Sequence, residues 1–113
     1  MSPLRRLLTC LVLMTALCAS LFAASDLAET KKRAEAGNAV AQFNLGGMYA
    51  EGRGVPKDDV EAYAWFNISA VSNQKAKENR DKADLTPEER ARAQKRSTEL
   101  FNEIEARKKA AGN

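Results

Sequence analysis

Few residues in this chain could carry out chemistry. Its 113 residues include no histidine, and its only two cysteines, Cys10 and Cys18, lie close to the N-terminus. This composition excludes Ser-His-Asp and Cys-His catalysis, and it excludes zinc sites built from histidine or from sets of cysteines. Covalent haem attachment would also need a histidine beside paired cysteines. We therefore expect no cofactor, no metal and no enzyme activity.

The densest group of carboxylates is Asp58-Asp59-x-Glu61. Such a group could bind a cation weakly or supply an acid/base pair. It also opens a helical pattern, where acidic side chains cap free backbone amides and interact favourably with the helix dipole. We favour this structural interpretation, with Asp58 as the N-cap and Glu61 completing a pair that resembles a capping box.

Basic residues are frequent in the last third of the chain and could bind nucleic acid or an anionic surface. They are Arg80, Arg90, Arg92, Lys95, Arg96, Lys108 and Lys109. Acidic residues are interleaved with them, and no aromatic residue alternates with them to stack on bases. This pattern favours a solvated helix face, and we expect no nucleic-acid partner.

The N-terminal segment has the pattern of an export signal. Arg5 and Arg6 precede an apolar run of 18 residues, Leu7 to Ala24. We predict a Sec-type signal peptide at residues 1–24, cleaved somewhere in 20–24, and a periplasmic or secreted domain at 25–113. Because a span needs roughly 17–25 residues, an uncleaved inner-membrane anchor at 7–24 is one alternative. Acylation of Cys18 is another.

Removal of this segment would change the chemistry of the chain. The domain would contain no cysteine, so its stability would come from packing alone. Without Arg5 and Arg6, the 18 basic residues become 16, against 15 acidic ones. The basic character of the whole chain is therefore mostly a property of the signal.

The elements that would position any site are all helical. Ala, Glu, Lys and Arg dominate after Asp26, and no alternating β-branched run occurs, so the sequence predicts an all-α domain. We predict five helices, placed at about 27–36, at 39–51, after Asp58, within 73–84 and after Thr86-Pro87. The predicted inward residues are Ala41, Leu45, Met48, Ala62, Trp65, Phe66, Ser69, Ala93, Ser97, Leu100, Phe101 and Ile104. Gly46 predicts a close approach by a second helix.

Three segments together resemble a Sel1-like repeat: Ala34–Tyr49, Gly52–Pro56 and Glu61–Phe66. The resemblance covers about residues 34–72, and residues 73–111 are similar to the segment that closes such arrays. It implies an α/α helical-repeat fold of the tetratricopeptide-like type, with one full repeat, flanking helices and a C-terminal capping helix. An offset of 35 residues aligns Asn38 with Asn73, which indicates the decayed first half of another repeat.

The resemblance implies a protein-interaction module or adaptor whose partner is another protein. In tandem helical repeats, the first helix of each unit lines the concave side that binds partners. The candidate surface is therefore the stripe opposite Leu45, formed by Val40, Phe43, Asn44, Gly47 and Glu51. Phe43 could instead pack on the first helix.

Two other functional classes stay open. One is a small-ligand or cell-wall-fragment binder, which needs a pocket that a single repeat is poorly able to build. The weaker one is a small hydrolase acting through a carboxylate pair. We expect a homo-oligomer if the last helix does not fold back as a cap, and membrane contact only if residues 7–24 are retained.

Overall fold

The computed structural model describes the backbone of residues 2–112 and the side chains of residues 2–18 and 26–112. This part of the chain is all-helical, which confirms the predicted fold class. Its helices are α1 (Pro3–Glu35), α2 (Ala39–Glu51), α3 (Asp59–Ser69), α4 (Gln74–Asp81) and α5 (Pro87–Ala110). Among the same residues, no helix has the length and hydropathy of a membrane span.

Helix α1 begins much earlier than predicted. The helix expected from about Leu27 starts at Pro3, although its end at Glu35 agrees with the prediction to within a residue. Leucine and alanine are strong helix formers, and proline is tolerated in a first helical turn. The first strong break is Gly37, which has a φ of 99°. The side chains of the predicted cleavage region, residues 20–24, lie outside the described ones.

Three of the other helices begin at predicted caps. Asn38 Oδ1 accepts a hydrogen bond from a backbone amide of α2 at 2.9 Å. Asp58 Oδ1 accepts one from the Glu61 amide at 3.0 Å. Thr86 forms a reciprocal capping box at the start of α5. The local sequence therefore defines where these helices start, as caps satisfy amides that have no partner inside the helix.

The antiparallel pair α2–α3 forms the centre of the domain. Ser69 Oγ at the end of α3 donates to the Ala39 carbonyl at the start of α2, at 2.6 Å. A Cβ atom added to Gly46 would lie 2.7 Å from Cδ1 of Phe66, which confirms the predicted close approach of a second helix. The main core cluster contains Ala34, Ala41, Leu45, Met48, Ala64, Trp65, Leu100 and Ile104.

Helix α5 folds back over α3 and reaches α1. The buried Ser97 Oγ donates to carbonyls of α5 and α3. Arg107 pairs with Glu35 of α1 at 2.8 Å. The prediction that Phe101 faces inward is wrong, since 53% of this residue is exposed. Phe101 lies about 100° around the helix from the buried Leu100, which carries its ring off the contact with α3.

Candidate interaction surface

The predicted surface residues Val40 and Asn44 border an open groove between α1 and α2. The groove has a volume of about 290 Å³. Asp26, Glu29, Thr30 and Arg33 line it from α1, and Asn38, Val40, Ala41 and Asn44 line it from the α2 side. Val40 is 63% exposed, although it is a large apolar residue at the start of a well-packed helix. Apart from the buried Ala41, the rest of the groove lining is polar.

The structure separates Phe43 from that groove. Its ring packs against Phe66 of α3, with ring centroids 5.8 Å apart and planes tilted by 46°. The same cluster includes Ala76 of α4, so Phe43 lies among α2, α3 and α4 and is only half-buried. The alternative prediction that Phe43 packs on the first helix is wrong, because Phe43 packs on α3 and α4. Its main role in the structure is packing.

Gly47 and Glu51 lie at the other end of the stripe, beside Arg53. The Nε atom of Arg53 is 2.6 Å from a carboxylate oxygen of Glu51. A Cβ atom added to Gly47 would lie 3.5 Å from Nη2 of Arg53. The guanidinium therefore covers this end of α2, and a partner would meet Arg53 there before it met Gly47.

The acidic group at the start of α3 is engaged within the protein. Asp58 caps the helix, and a carboxylate oxygen of Asp59 lies 2.7 Å from Nζ of Lys57. The predicted capping-box pair is only half formed, because the Asp58 amide donates to the Tyr49 carbonyl at 3.0 Å and leaves Glu61 free for other contacts. Among the described residues, no three side chains of the metal-binding types come together. The arrangement supports the structural interpretation.

Glu61 joins α3 to α5, which the sequence did not predict. One of its oxygens accepts a hydrogen bond from Arg96 at 3.0 Å, and the other accepts one from the Trp65 indole at 3.2 Å. The hydrogen bond to Glu61 raises the pKa of Arg96, and burial opposes that shift. Because the partners are 35 residues apart, no local pattern signals this pair.

Several of the basic residues also have partners within the domain. The Arg90 guanidinium lies 5.5 Å from the centre of the Tyr63 ring, and Arg80 donates to Asn67 at 2.9 Å. Lys108 pairs with Glu105 at 3.1 Å. The contacts of Arg90 and Arg80 tie α5 and α4 to α3, whereas the Lys108 pair lies within α5. The first two support a structural role for these arginines.

A second cleft lies between α3 and α4, with a volume of about 280 Å³. No sequence motif marked this cleft. The helix expected within 73–84 ends at Asp81, and residues 82–85 cross in front of α3 without helical structure. This cleft and the α1–α2 groove lie on opposite sides of the α2–α3 pair.

The arrangement of α1 to α5 defines the class of protein. An antiparallel helix pair flanked on both sides by further helices is the unit of an α/α helical-repeat protein. The particular family follows from comparison with known families, because a Sel1 repeat matches residues 39–70. The match begins at the first residue of α2 and ends at the C-cap of α3. Residues 39–70 of this chain therefore form a Sel1 repeat, as the sequence pattern predicted. Among curated proteins, none matches this sequence.

Proposed function

We propose that this chain is an exported protein-interaction module whose partner binds the groove between α1 and α2. The Sel1 repeat supports the interaction role, since Sel1 repeats generally mediate protein–protein interaction. The observation that carries the second part is the 63% exposure of Val40 at the edge of an open groove. The mechanism is surface complementarity, with no chemical step. The engagement of Asp58, Asp59 and Glu61 weighs against the hydrolase alternative.

A capture experiment with matched valine variants tests the binding surface. The chain is expressed in its native host with a C-terminal tag, crosslinked gently and captured with its partners. Val40→Ser is compared with Val71→Ser, because Val71 is an equally apolar residue that is 89% exposed and does not line the groove. We expect a partner that is captured with wild type and Val71→Ser but lost with Val40→Ser. Equal capture by both variants would overturn the proposed surface.

Phe43 is left unchanged in this experiment. A Phe43→Ser variant would remove packing from Phe66 and lower stability, so a loss of binding could reflect unfolding. Asn44→Arg is a better second variant, because Asn44 is exposed and lines the groove. It adds charge and bulk where the partner should dock. Thermal unfolding of each variant shows whether the fold is retained.

Export is proposed from the N-terminal sequence pattern, and its processing can be measured directly. The tagged chain is recovered separately from the periplasmic and membrane fractions and its intact mass is determined. We expect a periplasmic form that lacks the first 20 to 24 residues. A full-length form in the inner membrane would support the anchor at 7–24, and a lipid-modified N-terminus at Cys18 would support acylation. A full-length form in the cytoplasm would contradict export.

A further inference from the structure

The cleft between α3 and α4 arises where the second repeat is incomplete. With an offset of 35 residues, Asn73 caps α4 as Asn38 caps α2, and Ala76 is buried as Ala41 is. The correspondence then fails, because α2 has 13 residues and α4 only 8. The missing helix would extend about 7.5 Å further at 1.5 Å per residue. That stretch would cover the N-terminal half of α3.

The same offset shows which side chain the second repeat lacks. In sequence, Ala83 corresponds to Met48, which is 4% exposed and belongs to the main core, but Ala83 lies beyond the end of α4 at Asp81. Alanine cannot fill the space that a methionine fills. The cleft that results is lined by Ala50, Asp59, Ala62, Tyr63, Phe66, Asn79, Lys82, Ala83, Asp84 and Leu85. Its floor is therefore apolar and its rim is polar.

Tyr63 adds a polar group without a protein partner to this cleft. The residue lines the cleft and is only 6% exposed, and its ring packs with Leu85 and Ala93. Among the described residues, none forms a hydrogen bond with its hydroxyl. Because no buried side-chain nitrogen or oxygen of the described residues lacks a partner, this hydroxyl is reached by solvent. The hydroxyl is therefore free to bind a polar group that enters the cleft.

The rim adds a charge pattern. Lys82 and Asp84 flank the cleft, and neither forms an ion pair with another residue in the described part of the chain. They are opposite charges two positions apart in the non-helical segment after α4. A bound segment that carries an acidic and a basic residue around one apolar residue would complement both.

We propose that this cleft binds one apolar side chain, of the size of leucine or methionine, from a partner polypeptide. The side chain takes the place of the residue missing at Ala83, a polar group next to it hydrogen-bonds to the Tyr63 hydroxyl, and flanking charges face Lys82 and Asp84. A volume of about 280 Å³ lies below the roughly 300–1,000 Å³ of sites that enclose whole small molecules. The inference rests on the proposed interaction function and gives the partner's chemistry at a second contact.

A pair of blocked tripeptides tests the inference without knowledge of the partner. The ¹⁵N-labelled protein, purified as the cell processes it, is titrated with acetyl-Glu-Leu-Lys-amide and with acetyl-Glu-Ala-Lys-amide. We expect the leucine probe to shift the backbone amides of Ala62, Tyr63, Ala83 and Leu85. The alanine probe should bind at least about tenfold more weakly, because it lacks the carbon atoms that fill the cleft. Equal affinity of the two probes, or shifts elsewhere in the domain, would overturn the proposal.

Variants of the protein complete the test. Ala83→Met should fill the cleft from within and abolish binding of the leucine probe, whereas Ala91→Met on the exposed face of α5 should leave it unchanged. Tyr63→Phe keeps the ring and its packing but removes the hydroxyl, so affinity should fall by roughly 2- to 12-fold. Undiminished probe binding by Ala83→Met would refute the assignment, and unchanged affinity of Tyr63→Phe would exclude the hydroxyl contact.

The outcomes for this cleft and for the α1–α2 groove are separable. Probe binding depends on the cleft alone, whereas partner capture in the Val40→Ser experiment depends on the groove. Loss of probe binding with intact Val40-dependent capture would overturn only the cleft. Probe binding with capture that is insensitive to Val40 would overturn only the groove.

Discussion

The adjacent glycines of α2 should respond in opposite directions to the same substitution. Both are inside the helix, where alanine is favoured over glycine by roughly 0.5–1 kcal/mol. They differ in what an added methyl group would meet. At Gly46 the nearest atom is Cδ1 of Phe66 at 2.7 Å, and at Gly47 it is Nη2 of Arg53 at 3.5 Å.

The contact at Gly46 is too close to be absorbed easily. Carbon atoms pack best at roughly 3.5–4.0 Å, so the added methyl group would lie about 1 Å too near the Phe66 ring. That ring is 6% exposed and has little room to move. Overpacking a core typically costs about 1–3 kcal/mol, and the short distance indicates the upper part of that range. After the gain in helix propensity, Gly46→Ala should lose about 2 kcal/mol of stability.

Gly47→Ala should instead gain about 0.5–1 kcal/mol, because the added methyl group meets only an exposed guanidinium at an ordinary contact distance. The two variants should therefore differ by roughly 2–3 kcal/mol. For a domain of this size, about 1 kcal/mol corresponds to a Tm change of roughly 4–8 °C. Thermal unfolding followed by circular dichroism would resolve this difference. A Gly46→Ala variant as stable as Gly47→Ala would refute the close approach of α3.

Three further predictions concern the core, a titrating group and a helix cap. Trp65→Ala should cost roughly 3–5 kcal/mol in denaturant unfolding because Trp65 is 2% exposed, whereas Phe101→Ala should change stability by less than about 0.5 kcal/mol. Burial raises the pKa of Tyr49 above the usual 10.0. Tyr49 therefore loses its proton at a lower pH in the unfolded chain than in the folded one. The stability that the raised pKa of Tyr49 contributes is complete below pH 10 and is lost as pH rises through the folded pKa. Tm measured between pH 9 and about 11 should fall less steeply in Tyr49→Phe than in wild type, and equal slopes would contradict the shift. Thr86→Ala should lower stability by about 1 kcal/mol through loss of the capping box. Thr98→Ala, on an exposed part of α5, is the control and should lower stability less.

Much of the fold was predictable because its signals are local. A cap satisfies amides one turn away, so Asn38, Asp58 and Thr86 marked helix starts that the structure confirms. The left-handed conformation of Gly52 ends α2 for an equally local reason. The apolar spacing within α2 also identified its buried face, since a helix turns by a constant angle per residue.

The candidate surface was only partly predictable. The helical period placed Val40, Phe43 and Asn44 on one side of α2. It could not show that the Phe43 ring turns toward Phe66, because that choice depends on how α3 and α4 pack. Arg53 covers Gly47 through the shape of a loop, which no periodic pattern describes.

The sequence by itself determined the helical class, the starts of α2, α3 and α5 and the Sel1-like repeat, since caps, glycines and apolar spacing act within a few residues. The tertiary structure alone decided which side chains meet across long separations. Glu61 pairs with Arg96 because α5 folds back along α3, and Phe101 stays exposed because α5 turns Leu100 toward the core instead. The cleft beside Tyr63 exists because α4 stops short, a property of several elements together that is not encoded at any single position.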